Sequence, residues 1–227
     1  MKGKTAIVAG GTGLVGRELI KQLLADSDYD KVIAVVRTKM NVVNLAGHDK
    51  MEQRVIEFAQ LGDSLKASEI AHAHVFCTLG TTIKKAGSKQ KFRRIDLDYP
   101  LQLAEMASKG QADAYAIVTA MGADRSSAFF YNQVKGEVEE RLKKVRLRAL
   151  YLLRPSLILG DRDERRLGEK LGIVVFRAIA PLMAGRLKKY RPVHASAIAT
   201  CLIRSAKSGK TGVQVISSER IATIGGR

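Results

Sequence analysis

The sequence predicts an α/β fold, a doubly wound parallel sheet, and three observations lead there. Strand-like runs and helix-like segments take turns along the chain. The strand-like runs are rich in Val, Ile and Ala without clean alternation, as expected where both faces of a sheet are covered. Glycines gather where the first such run meets the first helix-like segment, in "TAIVAGGTGLVGRELIKQLL".

The strand-like runs are "TAIVAG" near 5–10, "KVIAVVR" near 31–37, "RVIEF" near 54–58, "AHVFCTLG" near 73–80, "AYAIVTA" near 114–120, "RALYLLRP" near 148–155 and "GVQVIS" near 212–217. Between most of them lie segments with apolar residues three and four apart, among them Leu14 to Leu24, Ile95 to Met106 and Val134 to Val145. No repeat, linker or low-complexity segment divides the chain, so residues 1–227 read as one domain. Beyond Arg154 the pattern is less regular, and about 154–227 reads as a substrate-side lobe.

The glycine cluster follows a strand and opens a helix, as Gly11-x-Gly13-x-x-Gly16 or Gly10-x-x-Gly13-x-x-Gly16. The early glycines allow a sharp turn, Gly13 lets backbone approach a pyrophosphate, and Gly16 lets helix and strand pack closely. Free N–H groups and the positive end of the helix dipole then meet the phosphates, and Thr12, Leu14 and Val15 are expected beside the glycines as cofactor-binding residues. A bare turn would use the same glycines; the flanking elements favour dinucleotide binding. At the end of the second strand stands Arg37, with no acid nearby. A guanidinium holds a ribose 2′-phosphate where a carboxylate would repel it, so NADP(H) is expected over NAD; a surface arginine closing a strand is the alternative. Two further loops fall at strand carboxyl ends: "TLGTT", with Leu79, Gly80 and Thr81, and "RPSLILG", with Pro155 and Ser156.

A second constellation lies in "FYNQVKGEVEERLKKV", where Tyr131 and Lys135 share a helix face. An ammonium beside a phenol favours the phenolate, and such a tyrosine can move the proton that accompanies hydride transfer. Thr119, at the end of the fifth strand, could polarise a substrate oxygen or simply bond backbone. The implied substrate is a small carbonyl or alcohol.

Composition sets the remaining bounds. Cys77 and Cys201 form no CxxC pair, and only His72 and His74 are close, alternating onto one face of a strand, so no metal site is expected. The first strand begins almost at Met1 and the longest apolar stretch, "LGIVVFRAIAPLMAG", contains Arg177 and Pro181, so neither a leader nor a membrane span is expected and a cytoplasmic protein is. The net charge is +17, with basic clusters at Lys143, Lys144, Arg146 and Arg148, at Arg162, Arg165 and Arg166, and at Arg186, Lys188, Lys189 and Arg191. These alternate with acids and only Tyr190 interleaves, which argues for solvated faces over nucleic-acid binding.

The pieces "GGTGLVGREL", "CTLGTTIKKAGS", "RRIDLDYPLQLA", "VTAMGAD", "FYNQVKGEVEERL", "LRPSLILGDRDERRLGE" and "YRPVHASAIA" together resemble the short-chain dehydrogenase/reductase superfamily, in its atypical branch of Tat-interacting-protein-like oxidoreductases. The resemblance covers Thr5 to about Ala206. It implies a Rossmann sheet carrying NADP(H) on Gly10, Gly13, Gly16 and Arg37, and a catalytic Tyr131–Lys135 pair with Thr119 where the family usually has serine. It implies either a reductase or a cofactor-bound regulator, with a second copy or another protein as partner.

Overall fold

One parallel sheet lies between two layers of helices, and the computed structural model describes residues 3–160 and 190–226. β1 (Lys4–Ala9) passes through the glycine turn into α1 (Leu14–Ala25), and β2 (Tyr29–Val36) returns beside β1. β3 (Met51–Val55) adds the outer edge on that side. The chain then crosses to the other side of β1, through the single turn α2 (Ala67–Ile70), to lay down β4 (His74–Cys77). α3 (Ile83–Ala86), α4 (Lys89–Arg93) and α5 (Tyr99–Lys109) lead to β5 (Ala114–Val118), and α6 (Phe130–Leu142) leads to β6 (Ala149–Arg154). β7 (Ile158–Leu159) and β8 (Val193–His194) form a separate short parallel pair. α7 (Ala195–Lys207), β9 (Gly212–Ser217) and α8 (Ser218–Gly225) complete the described fold.

The sheet order is β3-β2-β1-β4-β5-β6-β9, with all neighbours parallel. It reverses between β1 and β4, and the crevice at such a reversal is where these sheets take ligands. Successive residues of β1 explain the missing alternation. Ala6 and Val8 join a core with α1 and α7, whereas Ile7 and Ala9 join a second core with α5 and α6. Each face needs an apolar side chain, so the strand reads as a continuous apolar run. α1 buries Val15, Leu19, Ile20, Leu23 and Leu24 along one stripe, the three- and four-residue spacing seen in the sequence.

Two expectations change. The third strand is Met51–Val55, not 54–58: it is a half-exposed edge whose Glu52, Gln53 and Arg54 hide the strand signal, and Ile56 and Phe58 lie past its end. His72 and His74 do not share a strand face. His72 sits in a turn with φ 60° and is exposed, while His74 is buried against the Tyr29 hydroxyl, 2.7 Å from its Nδ1. The stretch 161–189, with Arg162, Arg165, Arg166, Arg186, Lys188, Lys189 and the long apolar run, lies outside the described residues, and with it a central part of the expected substrate-side lobe.

Candidate active site

The carboxyl ends of β1, β4 and β5 and the head of α6 border a cleft of about 500 Å³, within the range of small-molecule sites. Its first wall is the glycine turn. Gly10 has φ +91°, and a Cβ there would lie 2.6 Å from the Thr78 carbonyl carbon; one on Gly16 would lie 2.2 Å from the Gly10 carbonyl oxygen. Packing within the chain therefore requires both glycines. Gly13 differs, because a Cβ there would meet only the Gly10 oxygen at 3.4 Å, an ordinary contact. The protein has room for a methyl at 13, and Gly13 faces the cleft, so its bareness serves whatever lies in the cleft. Gly13 is also the N-cap of α1, with no side chain capping the helix and no acid in its first turn. Leu14, Val15 and Gly16 thus open a helix whose amides have no side-chain partner there, as an anionic phosphate needs. These residues fit the dinucleotide that the sequence implied.

The second wall is the 78–82 loop. Thr78 donates both its N–H and its hydroxyl to the Ala9 carbonyl, at 2.8 and 3.1 Å, holding this loop against the glycine turn. Leu79, Gly80, Thr81 and Thr82 line the cleft, and Lys85 and Arg17 stand at its border.

The floor contains the feature that sequence reasoning missed. Lys135 and Asp96 are each buried, and Lys135 Nζ stands 2.7 Å from Asp96 Oδ1. At that distance the two side chains form a close, buried ion pair. Asp96 Oδ2 accepts the Thr81 N–H at 2.9 Å. Burial works against the Lys135 ammonium, but the Asp96 carboxylate, together with Tyr131 and Cys77, outweighs it and the Lys135 pKa is raised above the usual lysine value. The helix carrying Asp96 is widened by one residue at Arg94–Asp98, where the Tyr99 N–H reaches back to the Arg94 carbonyl. Such bulges recur at functional sites. The signal available in the sequence was an acid on a buried stripe, four residues after Phe92 and one before Leu97.

Above this pair lies Tyr131, 39% exposed, with Lys135 Nζ 5.9 Å from its ring centre. Tyr131, Lys135 and Thr119 all line the cleft. Thr119, however, is committed elsewhere. Its hydroxyl donates to Glu139 Oε1 at 2.7 Å, with the Leu153 carbonyl 3.1 Å away. Glu139 is itself buried and paired with Arg154. A hydroxyl has one proton, and both protein neighbours are acceptors, so Thr119 offers the cleft only lone pairs. Its expected part in polarising a substrate oxygen is corrected on that ground.

Five expected cofactor residues are not part of the cleft wall: Gly10 and Gly16, which shape the glycine turn, and Arg37, Pro155 and Ser156. Arg37 is exposed just past β2. Its loop is held beside the glycine turn, since Gln53 bonds both the N–H and carbonyl of Met40, and Met40 Sδ packs toward Gly11. Pro155 is buried, accepting the Met121 N–H, and Ser156 is tied to Ser218 and to the Arg191 carbonyl. They close the end of β6. Among the described residues no group of His, Cys, Asp and Glu could hold a metal ion. Burial pushes the Cys77 and Cys201 thiols up to about 11, so neither supplies a thiolate at neutral pH.

A family model described as NAD(P)H-binding matches residues 10–158. Protein HTATIP2 of Rattus norvegicus is 36% identical over 179 residues, 79% of this chain and 73% of that protein. The mitochondrial protein FMP52 of Candida glabrata is 32% identical, covering 74% of this chain and 70% of that one. Among solved structures, the UDP-Glc/GlcNAc 4-epimerase of Campylobacter jejuni superposes with TM-score 0.71 at 12% identity, over 99% of this chain and 84% of that one. WbmG of Bordetella bronchiseptica, solved with NAD, gives 0.68 at 16%, over 95% and 73%. The expected cytoplasmic location does not stand, because several relatives, including that of Emericella nidulans, are named as mitochondrial. No helix among the described residues is long and apolar enough to cross a membrane. The glycine cradle, the reversal of strand order and the family match agree: the chain belongs to the NAD(P)H-binding family, as an atypical short-chain dehydrogenase/reductase with a nicotinamide cofactor.

Proposed function

We propose that the protein is an NADPH-dependent oxidoreductase that reduces a small carbonyl substrate. The observation carrying this reading is the buried Lys135–Asp96 pair directly beneath a half-open phenol, in the cleft bordered by the bare Gly13. The amides after Gly13 hold the pyrophosphate, and Arg37 holds a 2′-phosphate and so sets the preference for NADP(H). The bound cofactor supplies the hydride that adds to the carbonyl carbon. Tyr131 gives its phenolic proton to the carbonyl oxygen as the C=O bond becomes C–O–H. The Lys135 ammonium stabilises the phenolate left behind, and Asp96 keeps that ammonium charged in a site that burial would otherwise neutralise.

Single-turnover oxidation of bound NADPH across a carbonyl panel tests this. Tyr131→Phe is expected to slow oxidation by about a hundredfold or more while leaving NADPH binding close to wild type. Equal oxidation by both proteins removes Tyr131 as the acid. A second reading, a cofactor-bound regulator acting with a protein partner or second copy, draws on the commitment of Thr119 to Glu139. A substrate oxygen then receives one protein proton donor instead of two. NADPH uptake without turnover on any carbonyl favours it.

A further inference from the structure

The net charge of +17 has no full role in the cleft. At the amino ends of the strands, cations are paired: Lys4 and Arg148 with Asp113, and Lys207 with Asp26 and Asp28. Beside the cleft mouth the pattern differs. The chain has no acid between Glu69 and Asp96, and Lys84, Lys89, Lys91 and Arg94 stand exposed with no ion pair among the described residues. Apolar side chains stand in water among them: Phe129 is 73% exposed and Ile83 40%. Buried Phe92 joins the two segments, its ring 5.7 Å from Phe130 and 5.9 Å from Tyr131, while Lys89 Nζ lies 5.2 Å over Phe130. Cations and apolar tips therefore share one surface.

We propose that this surface, built from α3, α4 and the head of α6, docks on an anionic phospholipid bilayer. The lysines meet the headgroup phosphates, and Phe129 and Ile83 enter the boundary between headgroups and acyl chains. Lysine is a point charge on a flexible stem and suits a fluid array of phosphates without fixed geometry. An exposed aliphatic side chain between the cations gains nothing from stacked bases but gains from an acyl layer. The described residues contain no helix long and apolar enough to cross a bilayer, and this surface would meet the membrane from the side.

Co-sedimentation of the full chain with phosphatidylcholine vesicles, with and without phosphatidylserine, tests the proposal. Retention is expected on the anionic vesicles only, falling as salt rises. Each charge reversal at Lys84 or Lys91 should weaken partitioning about fivefold or more. Phe129→Ser and Ile83→Ser should each weaken it about tenfold at unchanged charge. Reversals at Lys143 and Lys144, at the other end of α6, should matter much less. Near-wild-type melting temperature and NADPH affinity establish that each variant is folded. No retention on anionic vesicles overturns the proposal. So does equal loss from the Lys143 and Lys144 reversals, which would mean diffuse charge, or tighter binding to single-stranded RNA through the same residues, which would mean a nucleic-acid surface.

Discussion

At the scale of single residues, the site turns on a carboxylate placed where no water can compensate it. Asp96 and Lys135 are each under 5% exposed, so removing either charge strands the other in a low-dielectric floor. Burial pulls the Lys135 pKa down, but Asp96 foremost, with Tyr131 and Cys77, raises it above 10.5. A raised lysine value contributes stability that is fully present below 10.5 and is lost only as pH climbs through the higher folded value. At neutral pH the whole contribution is in force. Asp96→Asn should therefore cost about 3–5 kcal/mol of unfolding free energy near pH 7, measured by urea denaturation. With Asp96 neutral, burial pulls the Lys135 value down, so the alkaline limb of NADPH oxidation should also move to lower pH. Wild-type stability together with an unmoved limb would show that the pair does not hold the ammonium.

At the scale of elements, the glycine turn separates two kinds of glycine that the sequence could not distinguish. Gly16 is fixed by the protein itself: a Cβ would stand 2.2 Å from the Gly10 oxygen, and backbone there cannot swing aside. Gly13 is not, since its Cβ would meet that oxygen at 3.4 Å. Gly16→Ala is expected to lower the melting temperature of the cofactor-free protein, at a cost of about 2–3 kcal/mol. Gly13→Ala should leave that temperature within a degree or so but weaken NADPH binding roughly ten- to a hundredfold, read by calorimetry, because a methyl displaces a phosphate held at contact distance. Unchanged affinity in Gly13→Ala would move the pyrophosphate off this turn. The turn, the alternation of strands and helices and the Tyr131–Lys135 face were legible because each is a local pattern of spacing. Asp96 was not, since its partners Thr81 and Lys135 come from other segments and its own segment reads as an ordinary amphipathic helix. The engagement of Thr119 was hidden for the same reason, depending on Glu139 and Arg154 arriving from α6 and β6.

At the scale of the whole molecule, the two ends of the sheet do different work. The carboxyl ends hold the cleft, whereas the amino ends are closed by a polar cap in which Tyr29 of β2 and His74 of β4 meet below the edge of the core. His74 is 2% exposed, and burial, helped by the charges of Lys4 and Lys207 and opposed by Asp113, pushes its pKa down to about 4. In the unfolded chain the imidazole returns to about 6.5. Below that pH the unfolded chain takes up a proton that the folded protein refuses, so stability falls with pH from about 6.5 to about 4 and no further from this group. The loss across the window is on the order of 3 kcal/mol. Glu52 and Glu137, held below the usual carboxylate value first by hydrogen bonds from Lys31 and Arg93, make their own losses below about 4.5. The stretch from pH 6.5 to 4.5 therefore isolates the histidine. Urea unfolding across that stretch should show wild-type stability dropping steadily, and His74→Gln should flatten the slope because an amide does not titrate. An identical slope in His74→Gln would mean that the imidazole already carries its proton in the fold, donating from Nδ1 to Tyr29, and that the polar cap is open to water.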